Sequence, residues 1–217
     1  MVIAMGLRLI VLRHGETDWN REGRYQGCID TRLSREGHVQ SAAAARALAQ
    51  RRLAAVYSSP LARARETADL IAAPHGLTVS EDPAFAEICH GLWEGLTVEQ
   101  VRSEFPDLYA AWQERPHTVT MPAGESLAGV SERVFNRLNR LRADHDTETV
   151  CLVTHGSPLR LLLLDALGCS LDRFWMFHCA STGISEIEYG EGRTILRLMN
   201  SVGHLDRGVA LPEHTAH

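Results

Sequence analysis

The sequence predicts an α/β domain, and three observations carry that prediction. Two short apolar, β-branched runs, Arg8–Leu12 and Thr149–Thr154, have the length and composition of buried strands. Both end abruptly in His-Gly, at His14-Gly15 and His155-Gly156. Between them, strand-like runs are interleaved with helical stretches that start on serine or threonine. In open α/β sheets ligands bind outside the carboxyl ends of the strands. The two His-Gly endings therefore mark one edge of the sheet as the place to look for chemistry.

After the first strand comes a polar loop, His14 to Ser34, punctuated by Gly15, Gly23 and Gly27. So long a loop inside a compact domain is usually functional. Ser34 is placed to cap an alanine-rich helix reaching about Gln50. Ala55–Ser58 reads as a second strand. Ser59-Pro60 reads as a helix start, with Ser at the cap and Pro at the first helical position. That helix passes Leu61, Ala64, Ala68 and Ile71, and Pro74 and Gly76 end it. Leu77–Val79 is a third short strand.

Residues 83–125 are the least regular part and read as a lid-like excursion over the sheet edge. Thr97 and Gln100 form a capping box, and Pro106, Pro116 and Pro122 break the segment into pieces. Ser126 caps a longer helix in which Leu127, Val130, Val134, Leu138 and Leu141 share one face. The strand Thr149–Thr154 is followed by a very apolar helix, Leu159 to Leu167, started by Ser157-Pro158. Residues 183–189 and 194–199 flank Gly190–Arg193 as a hairpin. Residues 1–203 are expected to form one domain, and 204–217 a flexible tail.

The chain has 217 residues, 45% hydrophobic and 23% charged, which suits a single domain with a sizeable core. A net charge of −5 gives no footprint for nucleic acid. No run of 18 apolar residues is present, so no membrane span is expected. The apolar start lacks a basic leader and a cleavage site, so it reads poorly as a signal peptide. Five cysteines (Cys28, Cys89, Cys151, Cys169, Cys179) are irregularly spaced with no Cys-x-x-Cys pair. Neither a zinc site nor a redox motif is suggested, and reduced thiols in a cytoplasmic protein are the simplest reading.

One strand-end histidine is unremarkable, but two from chain-distant strands suggest imidazoles meeting at one edge. A third segment, Ser58-Ser59-Pro60-Leu61-Ala62-Arg63, again carries a strand into a helix N-terminus, which favours anions. Four segments then occur in order: Arg13-His14-Gly15-Glu16-Thr17; Ser58–Arg63 continued by Ala64, Thr67 and Ala68; Glu87-x-x-x-Gly91-x-Trp93-Glu94-Gly95; and Val153-Thr154-His155-Gly156. Together they resemble the histidine phosphatase superfamily, in the branch of cofactor-dependent phosphoglycerate mutases and their small phosphatase relatives. The resemblance covers about residues 7 to 200.

The resemblance implies a three-layer α/β/α sandwich, mostly parallel with one antiparallel edge strand. It implies His14 as the nucleophile that becomes phosphohistidine, and Arg13, Arg63 and His155 as ligands of the transferring phosphoryl group. It implies Glu87 as proton donor to the leaving group and then base for water. Asn20, Gln26 and Gly27 match the loop lining the phosphate pocket, and Gly156 lies beside His155. Each role has a physical reason. Arginine forks match phosphate bidentately and stay charged. A backbone carbonyl in the Gly15 loop would fix the tautomer of His14. An alkoxide leaves poorly without an acid, so Glu87 needs its pKa raised by bound phosphate or by apolar neighbours such as Ile88, Leu92 and Trp93.

No metal and no cofactor is implied. The expected partner is a small phosphorylated metabolite, with homodimerisation through the sheet edge an open expectation. The family's mutases share Glu-Arg-x-Tyr-Gly-x-Leu-x-Gly where this chain has Glu87-Ile88-Cys89-His90-Gly91-Leu92-Trp93-Glu94-Gly95. The missing arginine and tyrosine favour a phosphomonoesterase over a mutase. Retention of Arg13, His14, Arg63, Glu87 and His155 argues against a silent binding module. His90 is placed to affect specificity, whereas Cys89-His90 and His178-Cys179 read as incidental rather than as metal fragments. Trp93, Tyr109 and Trp112 either roof the pocket or fill the lid.

Overall fold

A computed structural model describes residues 6–205. Six strands form one sheet in the order β3-β2-β4-β1-β5-β6. The strands are β1 (Leu7–Arg13), β2 (Ala55–Ser58), β3 (Val79–Glu81), β4 (Thr149–Thr154), β5 (Ile184–Gly190) and β6 (Arg193–Ser201). Strands β1 to β4 are mutually parallel; β5 runs antiparallel to β1 and β6 antiparallel to β5. The antiparallel edge thus holds a two-stranded hairpin, as the Gly190–Arg193 turn predicts, rather than a single strand.

The helices are α1 (Asp18–Arg21), α2 (Arg35–Leu48), α3 (Ala62–Ala72), α4 (Val98–Glu104), α5 (Pro106–Glu114), α6 (Leu127–Asp144) and α7 (Gly156–Ala166). Alternate residues of β1 face opposite sides of the sheet, and each side has its own core. Ile10 and Leu12 pack with α2 and α3 through Ala44, Leu48, Ala64, Ala68 and Ile71. Leu7, Leu9 and Val11 pack with α6 and α7 through Val130, Val134, Leu138, Leu159 and Leu163. Two cores around one sheet give the three layers expected.

Local signals in the sequence explain most boundaries. The side chain of Ser34 accepts from the Gly37 N–H, that of Ser126 accepts from Gly129, and Thr97 and Gln100 form the expected capping box. Two helix starts differ from expectation. Helix α3 begins at Ala62 rather than Pro60: the Ser59 hydroxyl accepts from the Leu61 N–H and also meets His155, while Leu61 is the cap and makes no side-chain cap bond. Helix α7 begins at Gly156, with His155 itself at the N-cap. Strand β3 starts at Val79 rather than Leu77. Residues 83–125 contain α4, α5 and three short 3₁₀ turns. At the chain end, His204 is still packed, its Nε2 3.2 Å from the Thr182 hydroxyl. Residues 206–217 of the predicted tail lie outside the described residues. Among those residues no helix is long and apolar enough to cross a membrane.

Candidate active site

Register places the site. In the parallel pair β1–β4, Arg13 lies opposite Thr154, and the His14 N–H donates to the Thr154 carbonyl at 2.9 Å. The next residues, His14 and His155, therefore leave neighbouring strands side by side, with ring centroids 5.1 Å apart. On the other flank of β4, the Ser59 N–H donates to the Val153 carbonyl. This brings the Ser59 hydroxyl 2.7 Å from His155 Nε2. Three adjacent strand ends thus deliver Ser59, His155 and His14 in a row.

His14 Nδ1 lies 2.6 Å from the Gly15 carbonyl oxygen. A carbonyl only accepts, so the proton sits on Nδ1 and Nε2 is the nucleophilic nitrogen. This is the tautomer lock expected from the sequence. His155 is fully buried, and its pKa lies well below the ordinary value, first through burial and then through Arg63, His14 and Arg13. It is a neutral imidazole near pH 7. If Ser59 donates to Nε2, the proton of His155 sits on Nδ1, an atom with no partner among the described residues.

Both predicted arginines are buried and held by backbone carbonyls. Arg13 Nη1 donates to Cys179, and Arg63 donates through Nη1 to Ile29 and through Nη2 to Gly27. Burial lowers both pKa values, that of Arg63 to about 10, so both remain cationic near neutrality. The N-terminus of α3 does not serve as an open anion site. Asp30 Oδ1 already accepts from the Ala62 N–H at 2.6 Å.

Glu87 reaches the same cleft from the excursion. Its carboxylate accepts from the N–H groups of Gly156 and Ser157, the first turn of α7, and from Ile88. Burial pushes its pKa up, but His90, the Ile88 and Ser157 hydrogen bonds and Arg63 outweigh that and hold it below the ordinary value. The expected net rise is therefore not found: Ile88 and Trp93 are buried and Leu92 is 58% exposed, and the rise from burial is more than reversed by the polar groups. Arg133 fixes the backbone here, donating to the carbonyls of Ala84, Ala86 and Glu87 and pairing with Glu125.

The cleft, about 470 Å³ with its mouth, is lined by Arg13, His14, Asn20, Gln26, Gly27, Arg63, Glu87 and Gly156. His155 stands directly behind His14. The structure thus brings Arg13, His14, Asn20, Gln26, Gly27, Arg63, Glu87 and Gly156 to one cleft, with His155 against His14. Asn20 caps back onto Thr17, and its Nδ2 has no partner among the described residues. The Gln26 side-chain oxygen accepts from Thr17 and Thr31. Glu16 accepts from Ser34 and so braces the loop. His90 lines the cleft, its pKa lowered to about 4, mainly by burial. Trp112 both lines the cleft and is buried, Trp93 is core, and Tyr109 packs on Trp93.

Several site residues were not singled out: Arg24, Tyr25, Ser157, Arg160 and Trp175 line the cleft, and Glu94 ties its loops. Glu94 Oε1 accepts from the N–H groups of both Cys28 and His90. Position was the usable signal for Ser157 and Arg160, which lie within the first turns of the helix after His155. The expectation of reduced thiols is corrected for one pair. Cys28 and Cys89 form a disulfide across 61 residues, joining the Gly27 loop to the Glu87 segment. Their separation hid the pairing, since only the meeting of two loops brings them together. Cys151, Cys169 and Cys179 are free, and burial raises the Cys151 thiol pKa to about 12.

A model of the histidine phosphatase superfamily (branch 1) matches residues 9–202. The chain belongs to this superfamily. Phosphoserine phosphatase 1 of Hydrogenobacter thermophilus is 39% identical over 199 residues, covering 92% of this chain and 94% of that protein. Among solved structures, Bacillus stearothermophilus YhfR superposes with a TM-score of 0.87 at 30% identity, covering 91% of this chain and 98% of that one. A mycobacterial glucosyl-3-phosphoglycerate phosphatase complexed with VO3 gives a TM-score of 0.82 at 30% identity, covering 89% and 99%. The protein is thus a histidine phosphatase.

Proposed function

We propose that this histidine phosphatase hydrolyses small phosphate monoesters through a phosphohistidine on His14. The observation that carries the reading is the His14 tautomer lock inside a cleft shared with two buried guanidiniums and one carboxyl group. Arg13, Arg63, Asn20 and the Nδ1–H of His155 bind the phosphoryl oxygens, whose charge in the transition state is the main thing a phosphatase must stabilise. His14 Nε2 forms the N–P bond as the ester P–O bond breaks. Glu87 delivers a proton to the departing oxygen, and the alcohol leaves. Glu87, now a carboxylate, takes a proton from water as that water's oxygen attacks phosphorus. The N–P bond breaks, and inorganic phosphate and neutral His14 are released.

Protonated Glu87 is not the resting form, because its pKa is depressed in the open site. A bound phosphoryl dianion supports the first step by offsetting Arg63 and raising the carboxyl pKa. The substrates named for the relatives, phosphoserine and glucosyl-3-phosphoglycerate, are the first compounds to assay. Rapid quench with radiolabelled substrate should yield acid-labile, base-stable phosphate on His14 that His14→Ala lacks. Conversion of 3- to 2-phosphoglycerate without phosphate release would instead identify a mutase.

A further inference from the structure

Arg160 is a buried cation for which the reaction above has no use. It projects from the second turn of α7, is 5% exposed, and lines the cleft. Its Nε donates to the Phe177 carbonyl at 3.2 Å. Its Cζ lies 4.8 Å from the Trp175 ring centroid and 5.4 Å from that of Phe174. The rings and the carbonyl fix one side of the fork. No carboxylate among the described residues lies within 4.0 Å to form an ion pair with it, although other arginines of the chain do pair with acids. Its Nη1 lies 3.1 Å, and Glu87 Oε2 3.5 Å, from the point a Cβ on Gly156 would occupy. The fork and the Glu87 carboxylate therefore flank the same point beside Gly156, on the side where Glu87 would meet the leaving group.

We propose that Arg160 binds a carboxylate carried by the leaving group, so that the substrates are phosphomonoesters of hydroxy acids. This deepens the phosphatase reading and rests on it. Charge matching selects the class. Arg24, also in the lining, is paired with Glu22, so Arg13, Arg63 and Arg160 bring the three positive charges that count, and Glu87 must be neutral when it acts as acid. A phosphoryl dianion offsets two of the three. One negative charge is left to supply, which fits a carboxylate better than a hydroxyl or a second phosphate. A planar fork also matches a carboxylate bidentately. A buried guanidinium is costly until a counterion arrives, so the ligand that brings one is favoured over the ligand that does not.

The test uses a matched pair, 3-phosphoglycerate and glycerol 3-phosphate, which differ by a carboxylate in place of a hydroxymethyl group. The wild-type enzyme should favour the former by about 10- to 100-fold in kcat/KM, the range of a charge-assisted hydrogen bond. Arg160→Gln should abolish that preference chiefly through KM, while glycerol 3-phosphate changes by less than about threefold. Arg160→Lys should restore part of the preference, and it keeps the test open if the Gln variant does not fold. A wild-type enzyme indifferent to the pair would overturn the proposal. So would a variant that loses both substrates equally, which marks a third phosphoryl ligand or a packing residue. Failure of the underlying phosphatase reading is distinct: p-nitrophenyl phosphate would then not be hydrolysed and His14 would carry no phosphate.

Discussion

The state of Glu87 predicts an unusual pH dependence. Three N–H donors and Arg63 keep its carboxyl ionised in the free enzyme, against the effect of burial. Expulsion of an alkoxide needs one proton in the complex, wherever it resides beforehand. A free monoester loses its second phosphate proton at a pKa of about 6. Above that pH neither free Glu87 nor free substrate carries the proton, so kcat/KM should fall tenfold per pH unit. From pH 6, where half of the monoester still carries the proton, to pH 8 the loss is about 50-fold for an alkyl phosphate. A p-nitrophenyl ester, whose phenolate leaves unaided, should stay flat across the same range. Glu87→Gln should cost alkyl esters roughly 10²- to 10⁴-fold, the usual worth of general acid catalysis, and the aryl ester far less. The assay is kcat/KM by phosphate release at half-unit pH intervals for both substrates. An alkyl ester whose rate constant is level between pH 6 and 8, or a Gln variant equally damaging to both, would refute the reasoning.

Further outcomes follow from the loops around the site. Opening Cys28–Cys89 with a dithiol, or by Cys28→Ser with Cys89→Ser, releases a 61-residue separation. Loop-closure entropy sets an upper bound of about 4 kcal/mol, which thermal unfolding should show as a Tm lower by up to about 10 °C. Gly27 has φ of +51° and would place a Cβ 2.0 Å from Glu94 Oε1. Gly27→Ala should therefore displace Glu94 and raise KM for phosphate esters at least several-fold, where an unchanged KM would show the loop to be tolerant. Trp93 is completely buried between Tyr25, His90 and Phe105. Trp93→Ala should cost about 3–5 kcal/mol, read as a lower urea midpoint at constant m.

Much of this was legible because local chemistry and tertiary structure agree. The buried runs at β1 and β4 could be read from their length and branching, and their His-Gly endings from position alone. Ser34, Thr97 and Ser126 cap the helices their neighbours predict. Reading failed where a side chain serves a distant partner. Ser59 has the local signature of a cap, but its hydroxyl is shared between the Leu61 N–H and His155, and α3 starts at Ala62. The N-terminus of α3 is a generic anion site that Asp30, 32 residues earlier, already occupies. The disulfide and the Glu94 bridge join residues more than 60 positions apart, and no local pattern encodes either. Arg160 could be placed on α7 from sequence, but that no carboxylate among the described residues comes within 4.0 Å of it is a fact of three-dimensional structure.

The same hydrogen bonds that make Glu87 a poor acid at rest suit it to both halves of the proposed cycle. At the N-terminus of α7 a carboxylate is stabilised by the N–H groups of Gly156 and Ser157 and by the helix dipole. A base for water is wanted after the alcohol has left, and that is the state this environment favours. An acid is wanted earlier, when a phosphoryl dianion stands between Glu87 and Arg63 and cancels part of the field that depresses its pKa. Bond making at His14 moves charge off the phosphoryl group as the first step ends, so the field returns as the demand changes. A permanently raised pKa, from an apolar wall around the carboxyl, would help departure of the alcohol and weaken the base needed for water. The polar anchoring of Glu87 against α7 is therefore what a two-step hydrolysis with one shared acid–base group calls for.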